Sequence, residues 1–169
     1  MRLSFGFKAV MASAVVSVVS FGAEPKDGKF VEEAGGGGMA EVKLSQLALE
    51  KSTDPAVKEL AHSMVTDHTK ANDELKALAT TKSVPVPAEV PKAAQKKYDD
   101  LTKLDAKKFD KEYMSVLLDD HKKTVKLFEK EAKGGDDSEL KAWAEKTLPT
   151  LKHHLAMVET LEKDVKARK

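Results

Sequence analysis

Four stretches of the sequence carry apolar residues at the three- and four-residue spacing of an amphipathic α-helix. Each stretch has one ionisable residue near its middle, at a position where the spacing requires an apolar one. These residues, which we call the polar quartet, are Glu41, His68, His121 and His154. Four such helices predict an all-α four-helix bundle with the quartet in its core. Because ionisable groups in a packed core are costly unless paired, hydrogen-bonded or metal-bound, the coincidence of four requires a physical cause.

The composition is typical of one helical domain. Of 169 residues, 34% are charged and 41% are hydrophobic, and only 5% are aromatic, which is low for a sheet protein. The 29 basic and 28 acidic side chains alternate along the chain and leave a net charge of +1. We expect no nucleic-acid partner, because such partners are bound by concentrated stripes of Lys and Arg.

The first residues have the pattern of a secretory signal peptide. Arg2 and Lys8 precede the apolar run 9–19, which is shorter than the about 20 residues that a membrane-spanning helix needs. The predicted divisions are a signal peptide over residues 1–22, a polar lead over 23–29 and a ferritin-like helical bundle domain over 30–169. No integral membrane span is expected after cleavage. Since the chain has no Cys, it can form no disulfide. The signal-peptide pattern makes the periplasm the expected location.

Helix start and stop signals separate the four long helices. Asp54 followed by Pro55 is a helix start, and Asp136 with Glu139 resembles a capping box. The predicted long helices cover about 30–51, 55–81 and 106–133, and the fourth follows Asp136.

A long connection joins the second and third long helices. It contains three prolines, which exclude a continuous helix, and then a short amphipathic segment from Ala94 to Leu104. About two dozen residues are enough to cross the length of the bundle. The crossover would make the second and third long helices parallel, which is the connectivity of ferritin-like bundles.

Four consecutive glycines, Gly35 to Gly38, precede Glu41. Each glycine inside a helix costs about 0.5 to 1 kcal/mol relative to alanine. One interpretation is a flexible hinge, with the helix beginning only at Met39. The other is a continuous helix in which glycine permits close helix approach or an open path to Glu41.

The quartet has the composition of a metal site. Three neutral imidazoles and a carboxylate can bind one divalent transition metal such as zinc, copper, iron or manganese. Asp67 and Asp120 each precede a histidine of the quartet and are candidate partners that orient a histidine on a neighbouring helix. Solvated or salt-bridged positions are the alternative for both carboxylates.

Other chemistries have weaker support in the sequence. The quartet could form a buried Glu and His network that only specifies helix register. A di-iron centre would need Glu three residues before His on two helices, but Val65, Leu118 and Leu151 stand three residues before the quartet histidines. No haem is expected, because there is no Cys and few aromatic residues are available to pack a macrocycle. No catalytic residue can be assigned, because no nucleophile, phosphate-loop or dinucleotide motif is present.

The chain also resembles a bacterial exported family of unassigned function, domain of unknown function 4142, whose members are often labelled outer-membrane proteins. The resemblance rests on the Asp67-His68 pair, on His121, and on Leu148-Pro149 followed by His154. It extends over almost the whole mature chain and implies a ferritin-like fold. We interpret the outer-membrane label as an envelope location, because the chain has no alternating strands of a membrane barrel.

Together these features predict an exported ferritin-like bundle that binds a metal ion at the quartet, with a stress-related role as a further expectation. A non-catalytic structural or interaction module is the alternative. An oxidoreductase that uses a redox metal is a third hypothesis.

Overall fold

A computed structural model describes residues 27–168, and within this range the regular secondary structure is entirely helical, with turns and irregular segments between the helices. The helices are α1 (Gly28–Lys51), α2 (Pro55–Thr81), α3 (Lys92–Thr102), α4 (Ala106–Gly134) and α5 (Ser138–Ala167). The predicted all-α bundle and its short extra helix are confirmed. The predicted signal peptide lies outside the described residues. No helix between residues 27 and 168 combines the length and apolar character needed to cross a membrane.

Aspartates begin three of the long helices, where their carboxylates accept from free backbone amides. Asp54 accepts from the amide of Ala56, and Asp105 accepts from that of Lys108. The fourth long helix is capped by Asp137, which accepts from the amides two and three residues on, so the predicted start at Asp136 was wrong by one residue.

The crossover, residues 82–105, connects opposite ends of the bundle. Tyr113 near the start of α4 donates a 2.9 Å hydrogen bond to Ser45 near the end of α1. Since α1 and α4 therefore run antiparallel, and a three-residue turn makes α1 and α2 antiparallel, α2 and α4 are parallel. At the other end, Lys82 after α2 pairs with Asp137 before α5 at 2.7 Å. This connectivity is compatible with the ferritin-like arrangement.

The core consists of two apolar clusters, one towards each end of the bundle. The lower cluster includes Leu44, Met64, Leu117 and Val158, and the upper cluster includes Ala34, Leu75, Val125 and Leu151. In every long helix the quartet residue falls between the members of these two clusters. The polar quartet thus forms a layer between two apolar half-cores.

The glycine run lies inside a continuous helix, so the hinge interpretation with a start at Met39 was wrong. A Cβ at Gly36 would lie 2.9 Å from Cγ of Pro91 in the crossover, and a Cβ at Gly38 would overlap the side-chain amide of Asn72 in α2. These two glycines therefore permit close approach of α1 to its neighbours. At Gly37 a Cβ would have no heavy atom within 4 Å outside its own helix backbone and its chain neighbours.

Alanine substitutions at Gly36 and Gly37 should have opposite effects on the free energy of unfolding. Gly37→Ala should stabilise the protein by about 0.5 to 1 kcal/mol, because it gains helix propensity without a clash. Gly36→Ala should destabilise it by about 1 to 3 kcal/mol, because the new Cβ would meet the ring of Pro91, which is bonded to its own backbone nitrogen and cannot rotate away. Urea unfolding of both variants measures the difference, and equal stabilisation by both would contradict the close packing of Pro91.

Candidate metal centre

The structure brings the four predicted residues together in the centre of the bundle. Their side chains come from four different helices, and each residue is at most 4% exposed. The four side chains lie at the same level along the bundle axis because each residue is near the middle of its helix. The quartet is therefore one compact site, enclosed by the two apolar clusters.

Glu41 is the only acid among the four and lies against two of the histidines. Its Oε2 atom is 2.5 Å from Nε2 of His68, and its Oε1 atom is 3.4 Å from Nδ1 of His121. The contact with His68 is close but is not aligned as a hydrogen bond, and neither carboxylate oxygen has a hydrogen-bond partner among the described residues. The nearby imidazoles of His68 and His121 thus stabilise the negative charge of Glu41.

The other two histidines are oriented by acceptors outside the quartet. Nδ1 of His121 lies 3.1 Å from the carbonyl oxygen of Leu117, one turn earlier in α4. Because a carbonyl can only accept, Nδ1 carries the proton and Nε2 keeps its lone pair. Nε2 of His154 lies 2.9 Å from Oδ2 of Asp67, which in the same way leaves the lone pair on Nδ1. Both lone-pair nitrogens are buried and have no hydrogen-bond partner among the described residues.

The spacing of the three imidazoles is suitable for a shared ion. One nitrogen from each of the three histidines can be chosen so that all three atoms lie within 4.8 Å of one another. The ring centroids are 5.4, 5.6 and 5.7 Å apart. Three imidazoles bound at about 2.0–2.1 Å to one metal would have centroids about 5.2 to 5.5 Å apart, for angles from tetrahedral to trigonal. The observed centroid separations therefore match those of three imidazoles on one ion to within a few tenths of an ångström.

A void of about 20 Å³ lies beside Glu41 and His68. This volume is sufficient for about one water molecule. Polar side chains also line it, namely Asn72, Thr124 and Thr147. The site therefore has room for one small ligand in addition to its four side chains.

Burial and mutual attraction set the protonation of Glu41 and His68. Burial is the largest influence on Glu41 and favours its neutral form, but the nearby imidazoles, His68 first, outweigh it and lower the pKa to about 2. Burial also opposes the charged form of His68, yet the adjacent carboxylate raises the pKa of this histidine above its ordinary value. In the metal-free protein the two residues form an ion pair.

Burial favours the neutral forms of the remaining two histidines. It lowers the pKa of His121, despite the attraction of Glu41. Burial and the charge of His68 lower the pKa of His154 to about 4, although the hydrogen bond with Asp67 acts in the opposite direction. At neutral pH these two imidazoles are uncharged, which is the state that a metal ion requires.

Of the two aspartates predicted beside the histidines, only Asp67 hydrogen-bonds to one in the structure. Asp120 instead binds Lys97 of the crossover, at 2.7 Å and 2.8 Å through its two oxygens. The predicted orienting contact of Asp120 was therefore wrong, and its alternative, a salt-bridged flank, describes it. His62 and His153 are exposed, as predicted.

Sequence reasoning missed the backbone acceptor of His121 and the position of Lys97. The carbonyl of Leu117 carries no signal in the residue types, since every helical histidine has a carbonyl four residues before it. Lys97 could be placed beside Asp120 only by knowing where the short helix docks.

Comparison with known proteins agrees with this fold. The sequence profile of a family described as domain of unknown function (DUF4142) matches residues 18–161. No curated protein has a significant match to this chain.

Similar solved structures are helical and distant in sequence. A DUF305 fragment from Deinococcus radiodurans is 15% identical with a TM-score of 0.73, covering 84% of this chain and 98% of its own. A DUF305 protein from Streptomyces coelicolor, described provisionally as secreted, is 14% identical with a TM-score of 0.72, covering 87% and 98%. CopM in its Cu(II)-bound form is 17% identical with a TM-score of 0.69, covering 82% and 96%. At this level of identity the similarity establishes the fold alone.

The contribution of His154 to the stability of the metal-free protein should be lost as the pH falls from about 6.5 to 4. In this window His154 takes up a proton when unfolded but not when folded, so its contribution to the free energy of unfolding falls by up to about 3 kcal/mol. The lowered pKa of His121 acts in the same direction. Glu131, whose pKa is raised to about 7 by burial and by nearby aspartates, acts in the opposite direction, so the His154 contribution is measured as the difference from a His154 variant. His68 has a raised pKa, so its contribution to the free energy of unfolding is complete below pH 6.5. That contribution is lost as the pH rises through the raised pKa.

Urea unfolding with EDTA at pH 4 to 8 measures this dependence. His154→Leu should gain stability relative to wild type as the pH falls from 6.5 to 4, whereas His153→Ala, at the exposed neighbouring position, should keep the wild-type slope. Identical slopes for wild type and His154→Leu would contradict the neutral, buried state of His154.

Proposed function

This chain belongs to the DUF4142 family, and we propose that it is an exported protein that binds one transition-metal ion at the polar quartet. His68, His121 and His154 are the proposed nitrogen ligands, and Glu41 is the carboxylate that lies beside or on the ion. Binding is the proposed activity, and no catalytic residue is assigned.

The observation that carries this proposal is the set of unpartnered nitrogens in the core. Nε2 of His121 and Nδ1 of His154 are buried lone pairs without a donor among the described residues, and each is fixed by a hydrogen bond on the opposite side of its ring. A buried polar atom without a partner costs about 1 to 3 kcal/mol, so such an arrangement is expected where a ligand satisfies it. Metal-binding histidines characteristically have this outer hydrogen bond.

The charges of the quartet also favour a cation. A divalent ion that displaces the proton of His68 would meet one carboxylate and three neutral imidazoles. The carboxylate of Glu41 offsets half of the ion's charge in a site where an unpaired ion is very costly. Glu41 or a water molecule in the adjacent void would supply a fourth ligand.

Copper and zinc suit this donor set better than manganese, because imidazole is a ligand of intermediate softness and manganese prefers oxygen. The copper-bound form of the structural neighbour CopM supports copper as the first ion to test. Iron is the next candidate, and a redox-active ion would open the oxidoreductase hypothesis. Export is supported by the charged and apolar leader sequence and by the secreted description of a structural neighbour. Metal handling under stress in the cell envelope is the proposed physiological setting.

One observation favours a second candidate function. The 2.5 Å contact between Glu41 and His68 already pairs the buried acid without any ion. A Glu and His network could therefore serve only to specify helix packing in a structural or interaction module. In that case metals would not change the melting temperature.

The metal content of the purified protein tests the two candidates. Mature protein exported to the periplasm should contain close to one equivalent of a transition metal by elemental analysis, and His68→Ala with His121→Ala should contain none. His62→Ala with His153→Ala is the matched control, because it removes two exposed histidines and should retain the metal. A parent protein that is empty and gains no thermal stability from zinc, copper, iron or manganese would favour the structural module.

The two aspartates should differ in their effect on metal affinity. Asp67→Asn weakens the acceptor that orients His154 and should reduce the affinity by about 10- to 100-fold. Asp120→Asn is the matched control. It should have little effect on the equilibrium affinity, because Asp120 binds Lys97 and does not orient a histidine of the quartet. Competition with a chromophoric chelator measures both affinities, and an equal loss in the two variants would contradict an orienting role of Asp67.

A further inference from the structure

A cavity of about 240 Å³ lies between α1, α3 and α4 and extends to the polar quartet. Its walls include Gly36, Gly37, Glu41, Pro91, Lys97 and Asp120. Glu41 is the quartet member among these residues. The cavity is wide enough for several water molecules, whereas the void beside Glu41 and His68 holds about one.

Gly37 is the glycine of the run whose missing side chain has no packing explanation. Nothing outside its own helix backbone and chain neighbours lies within 4 Å of a Cβ built there. The absent side chain instead leaves this wall of the cavity open, one turn before Glu41. A helix-interior glycine costs about 0.5 to 1 kcal/mol relative to alanine, so an open wall at this position is a feature that requires a reason.

Glu41 provides an independent indication that the cavity receives a ligand. The residue is only 2% exposed and both of its carboxylate oxygens lack a hydrogen-bond partner among the described residues. Although Glu41 is paired by charge with His68, a buried carboxylate that lines a cavity and has no aligned hydrogen bond attracts a cation.

The crossover forms the outer wall of the cavity, and ion pairs and hydrogen bonds hold α3 beside it. Leu101 is the only buried residue of α3. Lys97 of α3 binds Asp120 of α4 at 2.7 Å, and Lys43 of α1 binds Gln95 of α3 at 2.5 Å.

We propose that this cavity is the access passage through which a divalent cation reaches the polar quartet, with the Lys97 and Asp120 ion pair setting the charge that the ion meets on the way. The inference rests on the proposed metal binding. The open wall at Gly37 provides the width, and the carboxylate of Glu41 at the inner end provides the attraction. The passage controls how fast the ion arrives and leaves, and the quartet controls how tightly the ion is held.

The test follows Co²⁺ binding to the metal-free full chain by stopped-flow absorption, because cobalt in a site of low coordination number gives intense visible bands. Gly37→Leu should fill the passage and slow uptake by about tenfold or more, with the final stoichiometry unchanged. Gly134→Leu is the matched control, because a Cβ at that glycine also has no heavy atom within 4 Å beyond its own surroundings and the residue lies outside the cavity. Its uptake rate should equal that of wild type.

Two charge variants test the same passage without added bulk. Lys97→Gln should accelerate Co²⁺ uptake and Asp120→Asn should slow it, each by about threefold or more at low salt. Both differences should shrink as the salt concentration rises.

The outcomes separate the passage from the site. Normal uptake rates in Gly37→Leu and in both charge variants, together with full cobalt loading at equilibrium, would overturn the passage and leave metal binding intact. Failure of the wild-type protein to bind cobalt, zinc or copper at equilibrium would overturn the proposed function, and the passage with it. If Gly37→Leu does not fold, the opposite rate changes of the two charge variants decide the matter.

Discussion

The ion pair between Glu41 and His68 is the interaction on which the interior of this bundle depends. Transfer of a carboxylate into a protein core costs several kcal/mol, and only a well-placed partner offsets the penalty. The close imidazole of His68 and the potential of the other two histidines keep Glu41 charged, with its pKa lowered to about 2. When a cation displaces the proton of His68, the same carboxylate and three neutral imidazoles face that cation, so the core suits a cation better than an apolar or anionic ligand.

Much of this arrangement follows from helical spacing. The four long helices and the level of the quartet are consequences of a period of 3.6 residues and of start signals such as Asp54. The hinge interpretation of the glycine run was wrong because it considered only helix propensity. Contacts with Pro91 and Asn72, which are distant in sequence, decide that α1 continues through it.

The partners of the histidines could not be derived in the same way. Asp67 and Asp120 have the same local signature, an acid directly before a core histidine. Their neighbours make them different, since the flank of α2 at Asp67 faces His154 of α5, whereas the flank of α4 at Asp120 faces the crossover and Lys97. Local sequence specifies the direction of a side chain, but the packing order of the helices specifies what it meets.

The separation of the core into two apolar clusters has a dynamic consequence. Both features that weaken helix backbones, the glycine run in α1 and Pro149 in α5, lie on the side of the upper cluster. The lower cluster is spanned by uninterrupted helix. Because local opening takes place where backbone and packing are weakest, amide hydrogens of the upper half should exchange by partial unfolding while the lower half remains closed. The quartet forms the boundary between the two halves, so an ion bound there would join them into one cooperative unit.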